Sequence, residues 1–545
     1  MWQLRPIPEA LRKRYLADGD WTDDTFDSFL EREIASQPQL SCRVWSDVRP
    51  FEGRTRDLWV QGLRLAASLE AMGVEQGDVV AFQAPNWAEA IVTVCAGFRL
   101  GCVMVPIVHF YGAKEVEFIL RQCGARVYIT VDRHGHVSHL ENLASFRDNL
   151  DALEHVLVIQ TGETTPEVRG AKVFSSLLDA APLEKRRAID PDSAAMIGYT
   201  SGTTADPKGV IHTHRSLLFE TRQLAALDRT PKPVFSASPI AHMTGMLASF
   251  LLPTIRHLPI LLTDRWDPEL ALRVIIDQDV SSGAGATVFL TSLLESPNFT
   301  AEHAKRIRIA GLGGAPVPAA VGERAEAAGI KIFRSYGSTE HPSITGSHSD
   351  DPFEKRALTD GRPMSGVEIR LVDPDGDGGS HGSEVEPGVP GEIFSRGPDL
   401  CAGYTDARLT EKAFDAEGWY RTGDVAIGDE DGFITISDRV SDIIIRGGQN
   451  ISAAEIEEAL MTMPIVSECA VVAAPDDRLG ERALAAIRLR PDAEAPSLES
   501  VQQHLSEAGL PKQKWVESLR FLEDFPRTPS GKIRKVDLRN TLREG

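Results

Sequence analysis

Short runs of β-branched and aliphatic residues recur over most of this 545-residue chain, with helical stretches between them. Val79-Val80-Ala81-Phe82 reads as an apolar strand, Glu115 to Arg121 as a helix, and Val127-Tyr128-Ile129-Thr130-Val131 as a strand again. Leu157-Val158-Ile159 and Pro259-Ile260-Leu261-Leu262 repeat the theme. Parallel strands need long crossovers, usually helical, so this alternation predicts an α/β fold with largely parallel sheets covered by helices. Ala90 to Val108 is apolar enough to suggest a membrane span, but Arg99 interrupts it, with Gly97, Gly101 and Pro106 nearby. A buried helix, a turn and a buried strand account for that stretch better.

After about residue 365 the texture changes. Val367 to Val372 alternates, a glycine- and acid-rich turn follows, and Gly391-Glu392-Ile393-Phe394 reads as the returning strand. An antiparallel sheet region is therefore expected behind the α/β part. A further boundary falls near Asp438 to Asp442. Beyond it Ser452-Ala453-Ala454-Glu455 has the form of a capping box opening an amphipathic helix through Leu460, which Pro464 stops. The expected division is a large domain over 1–439 and a small α+β domain over 440–545.

A formal net charge of -21 argues against a nucleic-acid partner, which would need a basic face. Six cysteines (Cys42, Cys95, Cys102, Cys123, Cys401 and Cys469) show no C-x-x-C spacing, which predicts reduced, mostly buried thiols and a cytoplasmic home. Met1-Trp2-Gln3-Leu4-Arg5 leads into no apolar signal segment, and no transmembrane segment is expected.

The densest chemical signal is Thr200-Ser201-Gly202-Thr203-Thr204-Ala205-Asp206-Pro207-Lys208-Gly209, preceded by the apolar run Ala194 to Tyr199. Glycine lets backbone N–H groups approach an anion, the hydroxyls donate further hydrogen bonds, and the lysine adds positive charge. A strand feeding such a loop predicts a nucleotide site. The loop is not a Walker A loop, which needs Gly-Lys followed by Ser or Thr; here Lys208 precedes Gly209.

Two further matches are rejected. Asp373-Pro374-Asp375-Gly376-Asp377-Gly378, with Glu384 behind it, fits a calcium-loop pattern, but its flanks read as strands, whereas that loop needs helices. Gly378-Gly379-Ser380-His381-Gly382 fits G-x-S-x-G without the strand-to-helix elbow. His134, His136 and His139 have metal-like spacing in a polar stretch with no cysteine, and a solvated loop is the better reading. His212 and His214 read as packing or loop residues rather than ligands.

Other clusters are individually weak. Tyr336-Gly337-Ser338-Thr339-Glu340 offers an aromatic face for a base, hydroxyls, and a carboxylate for Mg²⁺. Gly311-Leu312-Gly313-Gly314-Ala315-Pro316 is a glycine-rich strand end. Tyr420 to Asp424 and Arg439 offer groups for a ribose diol, and Pro529-Ser530-Gly531-Lys532 frames a lysine with proline and glycine.

Their order is specific. Thr200 to Gly209, Tyr336 to Glu340, Tyr420 to Asp424, Asp438-Arg439, Arg446-Gly447-Gly448-Gln449-Asn450-Ile451 and Pro529 to Lys532 together resemble the ordered motifs of the adenylate-forming (AMP-binding) superfamily. That superfamily comprises acyl-CoA synthetases, adenylation domains of peptide synthetases, and beetle luciferases. The resemblance covers nearly the whole chain. It implies that the antiparallel region is β-barrel-like, and it implies two half-reactions. A carboxylate attacks the α-phosphate of MgATP to give acyl-adenylate and pyrophosphate, and a thiol then displaces AMP.

By the same resemblance, Thr200, Ser201, Gly202, Thr203, Thr204 and Lys208 cradle the β- and γ-phosphates, and Glu340 holds Mg²⁺. Lys532 bridges the carboxylate and the α-phosphate as charge shifts between them. Tyr336, with Gly313, Gly314 and Ala315, encloses adenine, Asp424 and Arg439 take the ribose hydroxyls, and Gly337, Thr339, Gly447 and Gly448 belong to the nucleotide motifs. The small domain of such enzymes swings after adenylation about a hinge at the position of Ser441. Many relatives carry Asp or Lys there, and most carry glycine at the position of Ala205.

Pro239 to Met246 matches the segment that lines the acyl site of these enzymes. It lacks the aspartate that pairs the ammonium group in amino-acid-activating relatives. His242, Met243, Gly245 and Met246, with Phe250 and Leu251, present adaptable apolar surface, and His341 follows the metal carboxylate. A fatty or alicyclic acid is expected, similar to the substrates of cyclohexanecarboxylate–CoA ligase-like members. CoA is the expected acceptor, since no carrier domain follows Lys532. The alternatives are a stand-alone fatty acyl-AMP ligase serving a separate carrier protein, and a non-catalytic binding protein.

Overall fold

A computed structural model describes residues 2–162, 168–200, 207–227, 232–280, 285, 287–314, 317, 319–373, 379–439, 442–446, 449–476, 478–527 and 533–543. Their contacts separate into two compact units. One gathers the described residues of 1–200, 206–368 and 396–418; the other gathers those of 369–395 and 419–545.

The first unit is built on a seven-stranded sheet. Its order is Lys208–Thr213, Ala194–Thr200, Val103–Pro106, Val79–Gln83, Val127–Val131, His155–Ile159 and Ala171–Val173. Neighbours run parallel except at the edge, where Lys208–Thr213 turns back against Ala194–Thr200. Val79–Gln83 and Val127–Val131 are buried at every position, as parallel strands covered on both faces must be. Gln83 tolerates this because its amide donates to the carbonyls of Val108 and Tyr111, and the Tyr128 hydroxyl donates to its oxygen.

The suspect apolar stretch resolves into the helix Ala88–Leu100, a turn at Gly101 and the strand Val103–Pro106. No helix among the described residues is long and apolar enough to cross a membrane. Two four-stranded sheets and the short ribbon of Arg133–His134 with Val137–Ser138 add to this unit; the four-stranded sheets are Phe235–Ser236, Ile260–Thr263, Ser41–Trp45 and Phe51–Arg54, and Ile309–Leu312, Lys331–Tyr336, Thr345–Gly346 and Arg362–Pro363.

The second unit opens with the sheet Glu368–Val372, Pro390–Arg396, Tyr420–Gly428 and Ile434–Arg439. It continues into an α+β layer built on the long hairpin Val466–Asp476 and Gly480–Leu489, whose second strand pairs along its other edge with Ser518–Phe521 and, at Gly480, with Arg446 of the strand Ile444–Arg446. The helix Ala453–Met461 starts as expected at Ser452, whose hydroxyl accepts from the Glu455 N–H. The other half of the box is replaced: the Glu455 carboxylate accepts from Lys514 instead. Asp438 adds a second cap, accepting from the Ala453 N–H at 2.7 Å. The fold is mixed α/β, as the alternation of patterns predicts. Residues 374–378 of the rejected calcium match lie outside the described residues; the elements on either side of the match include the strands Glu368–Val372 and Pro390–Arg396, and Glu384 is paired with Arg370 at 2.7 Å.

Candidate active site

The stem of the expected phosphate loop is a hairpin. Thr200 ends one strand and pairs with Lys208, which begins the next. A Walker loop opens a helix; here the chain returns as a sheet-edge strand, which is why that sequence pattern is missing. Ser201, Gly202, Thr203 and Thr204 lie outside the described residues. Behind the stem, the Tyr199 hydroxyl and the Thr405 hydroxyl both donate to the Gln122 side-chain oxygen, at 2.8 and 3.0 Å. The Thr405 N–H donates to the Gly209 carbonyl at 2.8 Å.

Glu340 follows the strand Lys331–Tyr336 on a tight turn. Within it the Ser338 N–H donates to the His341 carbonyl and the Ile344 N–H to the Tyr336 carbonyl. Gly337 is required, because a Cβ there would lie 1.9 Å from the Pro342 carbonyl oxygen. The turn is tied to the phosphate-loop strand twice. His212 Nε2 meets the Thr339 carbonyl at 2.7 Å, and the Tyr404 hydroxyl donates to Glu340 Oε1 at 2.8 Å. Among the described residues the second carboxylate oxygen, Oε2, has no partner. Burial lowers the His212 pKa to about 4, so the ring that braces Thr339 is neutral.

Gly313 and Gly314 follow the strand Ile309–Leu312, which runs parallel to the strand ending in Tyr336; Ala315 lies outside the described residues. A small cavity is lined by Pro106, Val108, Tyr111, Gly198, Tyr199, Ala241, His242, Met243 and Thr339. His242 caps the short turn Met243–Gly245, its Nδ1 accepting from the Thr244 N–H at 3.3 Å. Gly245 cannot carry a side chain, since a Cβ would come within 1.8 Å of the Pro239 carbonyl oxygen. A π-helical turn over Met246–Leu251 follows, with Met246, Phe250 and Leu251 buried. His341 is not among the residues lining this cavity. It is fully buried, with Nε2 at 3.1 Å from Asp399 Oδ1.

In the second unit Asp424 and Arg439 are cross-strand partners and form an ion pair at 3.0 Å. Arg446 is held by Glu517 through two hydrogen bonds. Ser441, Gly447, Gly448 and Lys532 lie outside the described residues. The stem of the Lys532 segment is described: Arg527 and Ile533 form an antiparallel bridge, and the Arg534 N–H donates to the Pro526 carbonyl at 2.7 Å.

The histidine stretch corrects the solvated-loop reading. His136 is exposed, but His139 is buried, with Nδ1 at 3.2 Å from the Gln83 oxygen. His134 packs edge-on against Trp87 and against His109. These partners come from distant segments, so the polar composition of 132–139 gave no warning of burial. No group of three or more metal-ligating side chains occurs among the described residues. His212 and His214 are buried packing residues, as expected. Tyr404, Thr405 and Gln122 escaped sequence reasoning, because each acts through a contact across more than sixty residues of chain, such as the 64 between Glu340 and Tyr404.

Comparison with known proteins names this arrangement. The family described as AMP-binding enzyme matches residues 39–405, and that described as AMP-binding enzyme C-terminal domain matches 455–532. The chain is 31% identical over 537 residues to the medium-chain fatty-acid–CoA ligase of Escherichia coli, spanning 98% of this chain and 93% of that one. It is 29% identical over 545 residues to a Rhodococcus jostii CoA ligase for a methyl-dioxo-octahydroindenyl propanoyl group, spanning 95% and 98% of the two chains. It matches the O-succinylbenzoate coenzyme A synthetase of Bacillus subtilis, solved in complex with ATP and magnesium ion, with a TM-score of 0.77 and 28% identity over 94% of this chain and 98% of that one. The chain belongs to the AMP-binding enzymes, the ATP-using adenylate-forming superfamily that includes the acyl-CoA synthetases.

Proposed function

We propose that this chain is an ATP-dependent, AMP-forming carboxylic acid–CoA ligase acting on a fatty or alicyclic acid. The observation that carries the reading is the tie between the phosphate-loop strand and the Glu340 turn, made through His212 and through Tyr404. It holds an anion-binding hairpin and a carboxylate in one rigid frame, as metal-assisted phosphoryl chemistry requires.

In the first half-reaction a carboxylate oxygen bonds to the α-phosphorus and the bond to the bridging β-oxygen breaks, releasing pyrophosphate. Thr200, Ser201, Gly202, Thr203, Thr204 and Lys208 hold the departing phosphates by hydrogen bonds and charge. Tyr336, Gly337, Thr339, Gly313, Gly314 and Ala315 hold adenine, Asp424 and Arg439 bind the ribose diol, and Lys532 neutralises the two reacting anions. Glu340 is the residue that would hold Mg²⁺. Its carboxylate is buried, one oxygen is fixed by Tyr404 and the other has no partner among the described residues, a hard-oxygen arrangement that fits the ion. When bound, Mg²⁺ offsets the charge of the phosphate oxygens. In the second half-reaction the CoA sulfur, having lost its proton, bonds to the acyl carbon and AMP leaves.

The acyl preference rests on Met243, Met246, Phe250 and Leu251 and on the absence of an acidic residue from 239–246. Both relatives quoted above take CoA, which supports CoA over a carrier protein as acceptor. We place the functional boundary between residues 439 and 440, with Ser441 as hinge; the two family matches end and begin on opposite sides of it. Six free, buried cysteines support a cytoplasmic location.

The test is a panel of carboxylic acids scored by pyrophosphate release, followed by discharge with CoA or with a holo-carrier protein. An apolar acid and CoA are expected to give the highest kcat/KM. Lys532→Ala is expected to suppress adenylation while sparing thioester formation from supplied acyl-adenylate. Equal loss of both steps would refute its assignment.

A further inference from the structure

Glu340 and the strand leaving the phosphate loop are not in direct register. Besides the His212–Thr339 contact, the connection is made by a third segment, residues 401–405, which the motifs of the sequence do not single out. One edge of this segment pairs with the loop strand: the Ile211 N–H donates to the Gly403 carbonyl, the Ala402 N–H to the Ile211 carbonyl, and the Thr405 N–H to the Gly209 carbonyl, all within 2.7 to 2.8 Å. Its other side grips Glu340 at both ends of the residue. The Cys401 N–H donates to the Glu340 carbonyl at 2.8 Å, and the Tyr404 hydroxyl donates to the carboxylate at 2.8 Å.

We propose that Tyr404 is a positioning residue that fixes the Glu340 carboxylate, relative to the phosphate-loop stem, in the orientation a divalent cation needs. The inference rests on the metal role proposed above for Glu340. Tyr404 is 5% exposed and Glu340 8%. A hydrogen bond to a carboxylate in such surroundings is charge-assisted and strong. A carboxylate held at Oε1 cannot rotate freely, so Oε2 is presented in one direction. Mg²⁺ demands near-ideal octahedral geometry, which makes the orientation of a single carboxylate ligand consequential. Hydrogen-bond partners behind a metal ligand tune affinity in this way.

The plain alternative is that Tyr404 only fills space, since its ring packs with Val210 and Phe414. Tyr404→Phe keeps the ring and removes the hydroxyl, so it separates the two. The measurement is calorimetric binding of ATP to the full chain with Mg²⁺ and, separately, with chelator. The wild type is expected to bind ATP more tightly when Mg²⁺ is present. Tyr404→Phe is expected to lose about tenfold of that advantage, with ATP affinity in chelator and the melting temperature little changed. Glu340→Gln is expected to abolish the advantage, and adding Tyr404→Phe to it should cost nothing further. An undiminished Mg²⁺ advantage in Tyr404→Phe, with Glu340→Gln impaired, overturns the positioning role alone. An undiminished advantage in Glu340→Gln overturns the metal assignment, and the positioning role with it. If Tyr404→Phe is impaired but its loss adds fully to that of Glu340→Gln, the hydroxyl acts elsewhere and the proposal fails.

Discussion

Asp424 and Arg439 face each other across two antiparallel strands and join Nε to Oδ1 at 3.0 Å. The carboxylate side chain is 10% exposed and the guanidinium 56%, so the arginine lies over a carboxylate that is otherwise withdrawn from water. A diol donating to Asp424 gains a charge-assisted bond that the arginine keeps aligned. Asp424→Asn is expected to cost about tenfold in kcat/KM for ATP, the worth of one hydrogen bond to a charged group. The same variant should discriminate less than wild type between ATP and its 2′-deoxy or 3′-deoxy analogues. Unchanged discrimination against both analogues would remove Asp424 from the ribose site.

Arg99 interrupts the apolar helix Ala88–Leu100 with a fully buried guanidinium. It is paired with Asp27 at 2.8 Å and Glu31 at 2.9 Å, and it lies over the Trp59 ring. Removing one partner of a buried pair strands the other charge, so Arg99→Met is expected to cost about 3–5 kcal/mol of unfolding free energy. Urea titration followed by tryptophan fluorescence measures it. A loss below about 1 kcal/mol would mean that the pair is exposed to solvent, as surface pairs are.

His214 accepts the Phe26 N–H on Nδ1 at 3.1 Å, at the start of the helix Phe26–Ser36. Burial lowers its pKa to about 4, as it does for His139 and His212. The folded chain therefore prefers the neutral ring, while the unfolded ring titrates near 6.5. The stabilising contribution is complete above pH 6.5 and is lost as pH falls from there toward 4. By linkage each such ring should cost about 2 kcal/mol at about pH 5 relative to about pH 7.5. His214→Gln retains an acceptor and does not titrate, so it is expected to reduce the acid-induced fall in the urea midpoint. An identical fall in variant and wild type would show that His214 charges without penalty.

The α/β class was legible because the alternation of strand and helix patterns is local, and the Thr200-to-Gly209 run stood out as a candidate phosphate loop because its residues are contiguous. The site beyond the motifs was not. Tyr404 reads as an ordinary residue after Gly403, and only the pairing of 401–405 with Gly209 and Ile211 brings its hydroxyl to Glu340. His341, expected at the acyl group, is instead buried against Asp399, because the turn that Gly337 permits carries it inward. His139 and His134 read as solvated for the same reason: Gln83, Trp87 and His109 cover them from other parts of the chain. Local pattern reports the backbone; side-chain partners are set by tertiary register.

The stem of the Lys532 segment continues into the helix Lys535–Arg543, and that helix is anchored on Asp442, next to the hinge position proposed above. Lys535 pairs with Glu457 at 2.7 Å and approaches Asp442 at 4.0 Å, and Arg539 also pairs with Asp442. On the other side of the segment Arg527 pairs with Glu468 at 2.6 Å. Asp442 is one residue beyond Ser441, so a single carboxylate links the chain beside the proposed hinge to the base of the Lys532 segment. Its side chain is 11% exposed and those of Lys535 and Arg539 are 16% and 17%, which shields the pairs from much of the screening that weakens surface pairs. Asp442→Ala should remove the shared carboxylate from Lys535 and Arg539, leaving Lys535 its pair with Glu457, and let the helix base move. Adenylation, read as pyrophosphate exchange, is expected to fall about a hundredfold, the scale of a catalytic group displaced by about 1 Å. Thioester formation from supplied acyl-adenylate should fall less, and Asp442→Glu should restore part of the exchange rate. Amide hydrogen exchange should quicken in Lys535–Arg543 and stay slow in Ala453–Met461. Full pyrophosphate exchange in Asp442→Ala, or equal quickening of both helices, would show that the carboxylate does not tie the lysine segment to the hinge.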